Sequence, residues 1–356
     1  MIDTLINSTS SHLVQSKLFV GTAALSFRKK AALTIAGAAV LVAPVLIGIA
    51  DAPAILAQSP SGVPEWQAAA GGHMAFEVAS VKLLKPGSHG RAPNFALDNG
   101  DGFTNPLSGE SPHGHLSVAF PVSFYISFAY KLSLTPDQRQ ALFARLPKWV
   151  DTDVIDIEAK AAGNPTKDQM RLMMQSLLAE RFQLAVHYET QEMPVFALTL
   201  VKPGTWGPKL IRHADGPLCD APTPTPLATG PPDPEAGIFP PRCESQMSVP
   251  GKNGRIVQGT RNTTMAILAG FLARTTGRPV VDRTGIRDRI DYRLEWTPQS
   301  NIPPNGPRVP DVEVEPDPNP GALVDAVRDQ LGLKLQSTKA PVQSLVIDHI
   351  QRPSEN

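Results

Sequence analysis

Between residues 166 and 201, TKDQMRLMMQSLLAERFQLAVHYETQEMPVFALTLV, the apolar positions change their spacing, and that change fixes an order of elements. Met170, Met173, Met174, Leu177 and Leu178 fall at i, i+3, i+4, i+7 and i+8, a single helical stripe from which Arg171, Gln175 and Glu180 are expected to turn away. Thr166 with Gln169 three positions on is a capping box, and Pro165 discourages an earlier start, so the helix is predicted from Lys167. From Phe182 the spacing becomes two. Phe182, Leu184, Val186 and Tyr188 alternate with Gln183, Ala185, His187 and Glu189, as in a strand with one buried face. A polar turn ending in Pro194 then leads to a more apolar strand over residues 195–201. The expected unit is a helix laid on an antiparallel hairpin.

The same pattern returns near the C-terminus as GALVDAVRDQLGLKLQSTKAPVQSLVIDH, with Pro341-Val342 at the point marked earlier by Pro194-Val195. Upstream the order also repeats: strand, helix, a short strand ending in Val-Asp (149–151 and 280–282), an alternating strand, helix and hairpin. This implies internal duplication. The predicted fold class is α+β, two similar α/β units of helices packed on small mixed or antiparallel sheets, preceded by one transmembrane helix. The units are expected over residues 76–202 and 251–353. A proline-rich insert, 203–250, separates them, and a second, 298–320, interrupts the latter. Asn262 is read as the cap of the helix carrying Met265, Leu268, Ala269 and Leu272 inward. Residues 85–114, rich in Gly, Pro, Asn and Ser, read only as a long irregular loop.

Arg28, Lys29 and Lys30 precede 31–50, an uncharged apolar run followed by Asp51. Twenty such residues span about 30 Å as a helix. Residues 1–30 are then cytoplasmic, 31–50 a transmembrane helix or signal anchor, and 51–75 a tether to a region outside the plasma membrane. Cleavage near Ala52-Pro53-Ala54, as a signal peptide, is the competing reading. Lys+Arg and Asp+Glu number 33 each, without a long basic run, which argues against nucleic acid as a partner. The 36 prolines concentrate in the inserts. The first insert holds both cysteines, Cys219 and Cys243, and an even count in an exported segment favours a disulfide.

No catalytic, cofactor or metal site is expected. His113 and His115 are the one close histidine pair, with no third ligand fixed nearby. His187 lies on an outward strand position beside Glu189, and Asp282-Arg283-Thr284-Gly285 carries the residues of a tight turn. G-x-S-x-G, Walker and G-x-G-x-x-G patterns are absent.

The runs FEVASVK, LLAERFQLAVHYETQEMPVFALTL, GRPVVDRTGI and QLGLKLQSTKAPVQSLVIDHIQRP resemble those of a bacterial family, the acidobacterial "soil-associated" proteins, over roughly residues 76–353. No activity is established for that family. Some of its members are fused behind a membrane metallopeptidase of the beta-lactam-sensing kind, and residues 18–58 resemble the last membrane helix of such proteins. This chain has no H-E-x-x-H, so zinc protease activity is not carried over. In element order each copy is also similar to the short N-terminal domains of secretins and TonB-dependent receptors, which bind partners in the cell envelope. Together these readings imply a non-catalytic, membrane-anchored envelope module for a protein or glycan partner. The alternative is an extracytoplasmic hydrolase whose site is assembled from scattered residues.

Overall fold

The computed structural model describes residues 62–85, 88, 90, 93–103, 112–219, 233–235, 237–298 and 321–353. The apolar run 31–50 and most of the insert 298–320 lie outside the described residues. Among those described, no helix is long and apolar enough to cross a membrane.

The mixed α+β class holds. In the first half, β1 (Val78–Leu83), β2 (His115–Pro121) and β3 (Val154–Lys160) form an antiparallel sheet in the order β1-β3-β2. Its core combines Leu116, Val118, Ile155 and Ile157 with residues of α2 (Val122–Ala129) and α5 (Lys167–Phe182). Capping boxes start both α5 and α3 (Pro136–Phe143): the Thr166 and Thr135 hydroxyls accept from Gln169 and Gln138 N–H. In the second half, β5 (Leu210–Arg212), β6 (Gln246–Pro250), β7 (Ile256–Thr263) and β9 (Ile290–Trp296) form an antiparallel sheet ordered β5-β9-β7-β6. There α6 (Met265–Thr276) and α7 (Gly321–Leu331) supply the core.

Each predicted hairpin is instead one uninterrupted strand. β4 (Ala185–Leu200) and β10 (Leu333–His349) pair antiparallel along their whole length, from Leu333 opposite Leu200 to Ile347 opposite Val186. Each half of the chain thus lends its last strand to the other. Leu345 of β10 therefore completes the first core, and Leu198 of β4 the second. Alternation in the sequence is the same for a hairpin and for this exchange, so local pattern cannot separate them. The prolines mark no turn. Val201 N–H donates to the Gly332 carbonyl at 2.9 Å, which sets which groups pair inside the ribbon and turns the N–H positions of even β4 residues and odd β10 residues outward. Pro194 and Pro341 both occupy outward positions, where a missing N–H costs no ladder bond. The outward groups at Phe196 and Leu198 pair with β8 (Val280–Asp282), parallel to β4.

Three local expectations are corrected. Residues 149–151, read as the counterpart of β8, form a helical turn, α4 (Trp149–Thr152). The tether 51–75 contains α1 (Glu65–Ala69), whose buried Gln67 donates to the Tyr188 hydroxyl at 2.9 Å. Asn262 does not cap α6. It sits in β7 with φ 54° at a register shift against β9, and Thr264 holds the cap position.

Arg171 does not turn away from the core either, for it is 0% exposed. Its guanidinium donates to the Asp98 and Gly100 carbonyls at 2.9 and 2.7 Å, pairs with Asp168, and lies 5.3 Å from the Phe128 ring centroid. Lys167, 3% exposed, donates to Asp98 and to the Gly102 carbonyl. These cations pull the irregular loop onto α5, where Phe95 enters the core. Burial disfavours both charged forms and lowers the pKa of each, and the oxygens fixed around the two cations offset part of that cost. Asp101 of the same loop bridges the halves, 3.2 Å from Lys131 and 2.8 Å from Arg289. At the far end, Gly332 closes α7 at φ 68°, and a Cβ there would lie 2.5 Å from the Gly207 nitrogen.

Candidate functional site

On β9 the side chains of Ile290, Tyr292, Leu294 and Trp296 enter the second core, so alternation places Asp291, Arg293 and Glu295 on the opposite face. That face is not open to solvent, because the described part of the insert 203–250 folds over it. Phe239 lies on Gly259, where a Cβ would come within 2.7 Å of the ring. Arg261 donates to the Pro217 and Leu218 carbonyls at 2.7 and 2.8 Å and reaches those of Pro240 and Pro241 at 3.4 Å. Arg293 donates to the Pro234 carbonyl at 2.7 Å and pairs with Glu235. The Cys219–Cys243 disulfide closes the described part of the insert into a loop.

Between insert and sheet an open cleft of about 450 Å³ remains, lined among others by Ile211, Phe239, Arg261, Asp291, Arg293 and Glu295. Its charges are largely committed to one another. Glu295 lies 3.0 Å from both Lys209 and Arg293. Burial pushes its carboxyl upward, yet those two cations together hold it below the ordinary value of 4.5.

Beside the cleft, a 3-10 turn after β5 brings His213 against β9. Its Nδ1 lies 2.7 Å from Asp291 Oδ1, and its Nε2 lies 3.3 Å from Cys219 Sγ. Asp291 is 6% exposed; its Oδ1 also accepts the Asn262 N–H at 2.7 Å. An acceptor carboxylate at Nδ1 keeps the proton on that nitrogen and directs the Nε2 lone pair at sulfur. His213 and the two sulfurs lie within 4.8 Å of one another, a donor set of metal-ligating type. Bonded to each other, however, the sulfurs are not the thiolates that a metal requires.

The residues singled out in the sequence scatter. Cys219 and Cys243 meet as expected. His113 and His115 are exposed at the start of β2, and among the described residues they form no group of three potential ligands. His187 is exposed on β4, with Nδ1 2.8 Å from Asp348 and Nε2 3.2 Å from Glu189. Those two hydrogen bonds raise its pKa above 6.5. Asp282 is a turn residue: its Oδ1 accepts from Thr284 N–H and Oγ at 2.9 and 2.7 Å, and Gly285 follows at φ 75°. Sequence reasoning missed His213, Asp291, Arg261 and Arg293. The one available signal was the alternation that set Asp291 and Arg293 on a common face.

The family described as "protein of unknown function (DUF3738)" matches residues 123–350, and the chain belongs to that family. The match spans α2 through β10, so it contains the exchanged ribbon and both sheets apart from β1 and β2. No curated protein and no solved structure matches the chain.

Proposed function

We propose that the region after the apolar run is a non-catalytic envelope module that binds an extended segment of a protein partner by strand addition to the β4–β10 ribbon. The observation that carries this reading is the outer edge of β10, which among the described residues has no strand beside it along Leu333–His349. An edge of that length offers alternating N–H and carbonyl groups at the spacing a partner strand needs. Pro341 and Lys339, both outward, guard its centre against indiscriminate pairing. The hydrolase reading draws less support, since Glu295 is held between Lys209 and Arg293 and the His213 imidazole faces a sulfur already in a bridge. Anchoring by residues 31–50 and kinship with the acidobacterial proteins and their peptidase-fused relatives belong to the same proposal.

A photo-crosslinking side chain at the exposed Ser337 tests it in cells. The expected result is a discrete adduct with an envelope protein, lost when the same chain also carries Lys339→Pro, which removes an outward N–H while sparing the ribbon's own ladder. Adducts formed from Ile211 and never from Ser337 would move the binding face to the cleft. Turnover of amide, ester or glycan substrates, abolished by Asp291→Ala in a folded protein, would replace the proposal by the hydrolase.

A further inference from the structure

The Cys219–Cys243 bridge has a neighbour that a purely structural bridge does not need. His213 Nε2 stands 3.3 Å from Cys219 Sγ, and the same ring is oriented from behind by Asp291, 2.7 Å from Nδ1. Asp291 is in turn fixed by the Asn262 N–H. A disulfide sulfur is a poor acceptor, so this chain of three groups does little for the bridged form. It suits the thiol. Once Cys219 is reduced, Nε2 can take its proton and leave a thiolate beside an imidazolium that Asp291 stabilises. Cys219 is exposed and Cys243, the sulfur attacked, is partly exposed, so a reductant can approach. The other charges close by are Arg261, held on the carbonyls of Pro217 and Leu218 ahead of Cys219 and reaching those of Pro240 and Pro241 ahead of Cys243, and Arg242 and Glu244 on either side of Cys243 in sequence, Glu244 facing Arg289 at 3.5 Å. The contact of the imidazole with Cys219 Sγ makes Cys219 the better leaving group.

We propose that this bridge is a thiol-exchanging disulfide with Cys219 as its reactive sulfur and a thiol, small or protein-borne, as its co-substrate. A thiolate attacks Cys243 Sγ, and the electron pair of the S–S bond passes to Cys219 Sγ. The proton released when the attacking thiol ionised balances the step on His213 Nε2. A second thiol attacks the mixed disulfide on Cys243; the external thiols leave joined as a disulfide, and the protein holds two reduced cysteines. In the reverse direction the Cys219 thiolate is the nucleophile. The site concerns the insert and the cleft beneath it, and it stands independently of binding at the ribbon edge.

The test uses the whole chain, reduced under native conditions and alkylated with iodoacetamide across a pH series, with each label located by peptide mass. Cys219 is expected to react well ahead of Cys243, with a midpoint at least one pH unit below the ~8.5 of a free thiol. His213→Gln should return that midpoint toward the free-thiol value and slow reduction by glutathione about tenfold. Thiolate ultraviolet absorbance of the reduced wild-type chain, followed against pH, gives the same midpoint without any substitution. Equal labelling of the two cysteines at an ordinary thiol midpoint overturns the proposal, and so does a folded His213→Gln protein whose midpoint is unchanged.

Discussion

Two aperiodic stretches are held to the two sheets by the same device, and the differences between them are instructive. In the first half, residues 93–103 are anchored by Phe95 in the core and by Arg171 and Lys167 on their carbonyls. In the second, the insert is anchored by Phe239 on Gly259 and by Arg261 and Arg293 on its carbonyls. The first has no covalent tie, and its arginine is fully enclosed. The second adds a disulfide, and its cleft stays open. A stretch without hydrophobic period can thus be fixed by cations that satisfy its backbone, and how much each cation matters depends on what else holds the stretch.

The sharpest way to break this comparison is Arg171→Ala, which takes the donor from the Asp98 and Gly100 carbonyls and leaves Asp168 with Lys131 alone; the expected loss is about 3–5 kcal/mol in denaturant unfolding. Arg171→Lys should recover only part of it, because one ammonium cannot serve Asp98, Gly100 and Asp168 with a planar fork's geometry. An unchanged unfolding midpoint for either would show that Phe95, Lys167 and the Asp101 ion pairs hold the loop without the guanidinium. In the other half, removing both cysteines should cost roughly 3 kcal/mol. Arg261→Met should cost roughly 2 kcal/mol. Combined, the two changes should fall short of their sum, because they hold the same segment. Full additivity would mean that bridge and guanidinium act on separate parts of the insert.

A smaller effect is expected at the contact between the halves. Burial pushes the Asp101 carboxyl up, but Lys131 and Arg289 outweigh it and hold its pKa below 3.8. A carboxylate depressed by folding stabilises above its unfolded pKa, and that contribution is lost as pH falls through the folded value. Asp101→Asn should therefore be less stable at neutral pH and lose less on acidification below pH 3.8. Parallel acid-unfolding curves for the two proteins would refute the assignment. The smallest effect belongs to His187. Its imidazole should titrate by NMR above 6.5, with Asp348→Asn bringing it down, while stability barely changes because the site is exposed.

How far the sequence could be read follows from the range of the interactions. Capping by Thr166, the α5 stripe and the alternating strand ahead of it, β3, depend on neighbours within a few positions, and all were legible. Arg171 was read as outward because its partners, the carbonyls of Asp98 and Gly100, lie 73 and 71 positions away. His213 and Asp291 are 78 positions apart, in a proline-rich insert and on a strand, and nothing local joins them. The even cysteine count did point to the bridge, but the imidazole beside it depended on tertiary folding.

The exchanged strands carry a consequence for assembly in time. His187 and Asp348 face each other across 161 positions, and Leu345, Ile347 and Ile350 belong to the first core, whose other members are complete by Tyr188. A chain leaving the ribosome or crossing a membrane N-terminus first therefore presents its first half with that core unfinished until residues 345–350 emerge. Closing so long a loop is slow, since its entropy is lost before the contacts form. During that interval the C-terminal strand of a neighbouring molecule fits the gap as well as the chain's own, so crowded refolding should yield reciprocal dimers that dilute refolding avoids.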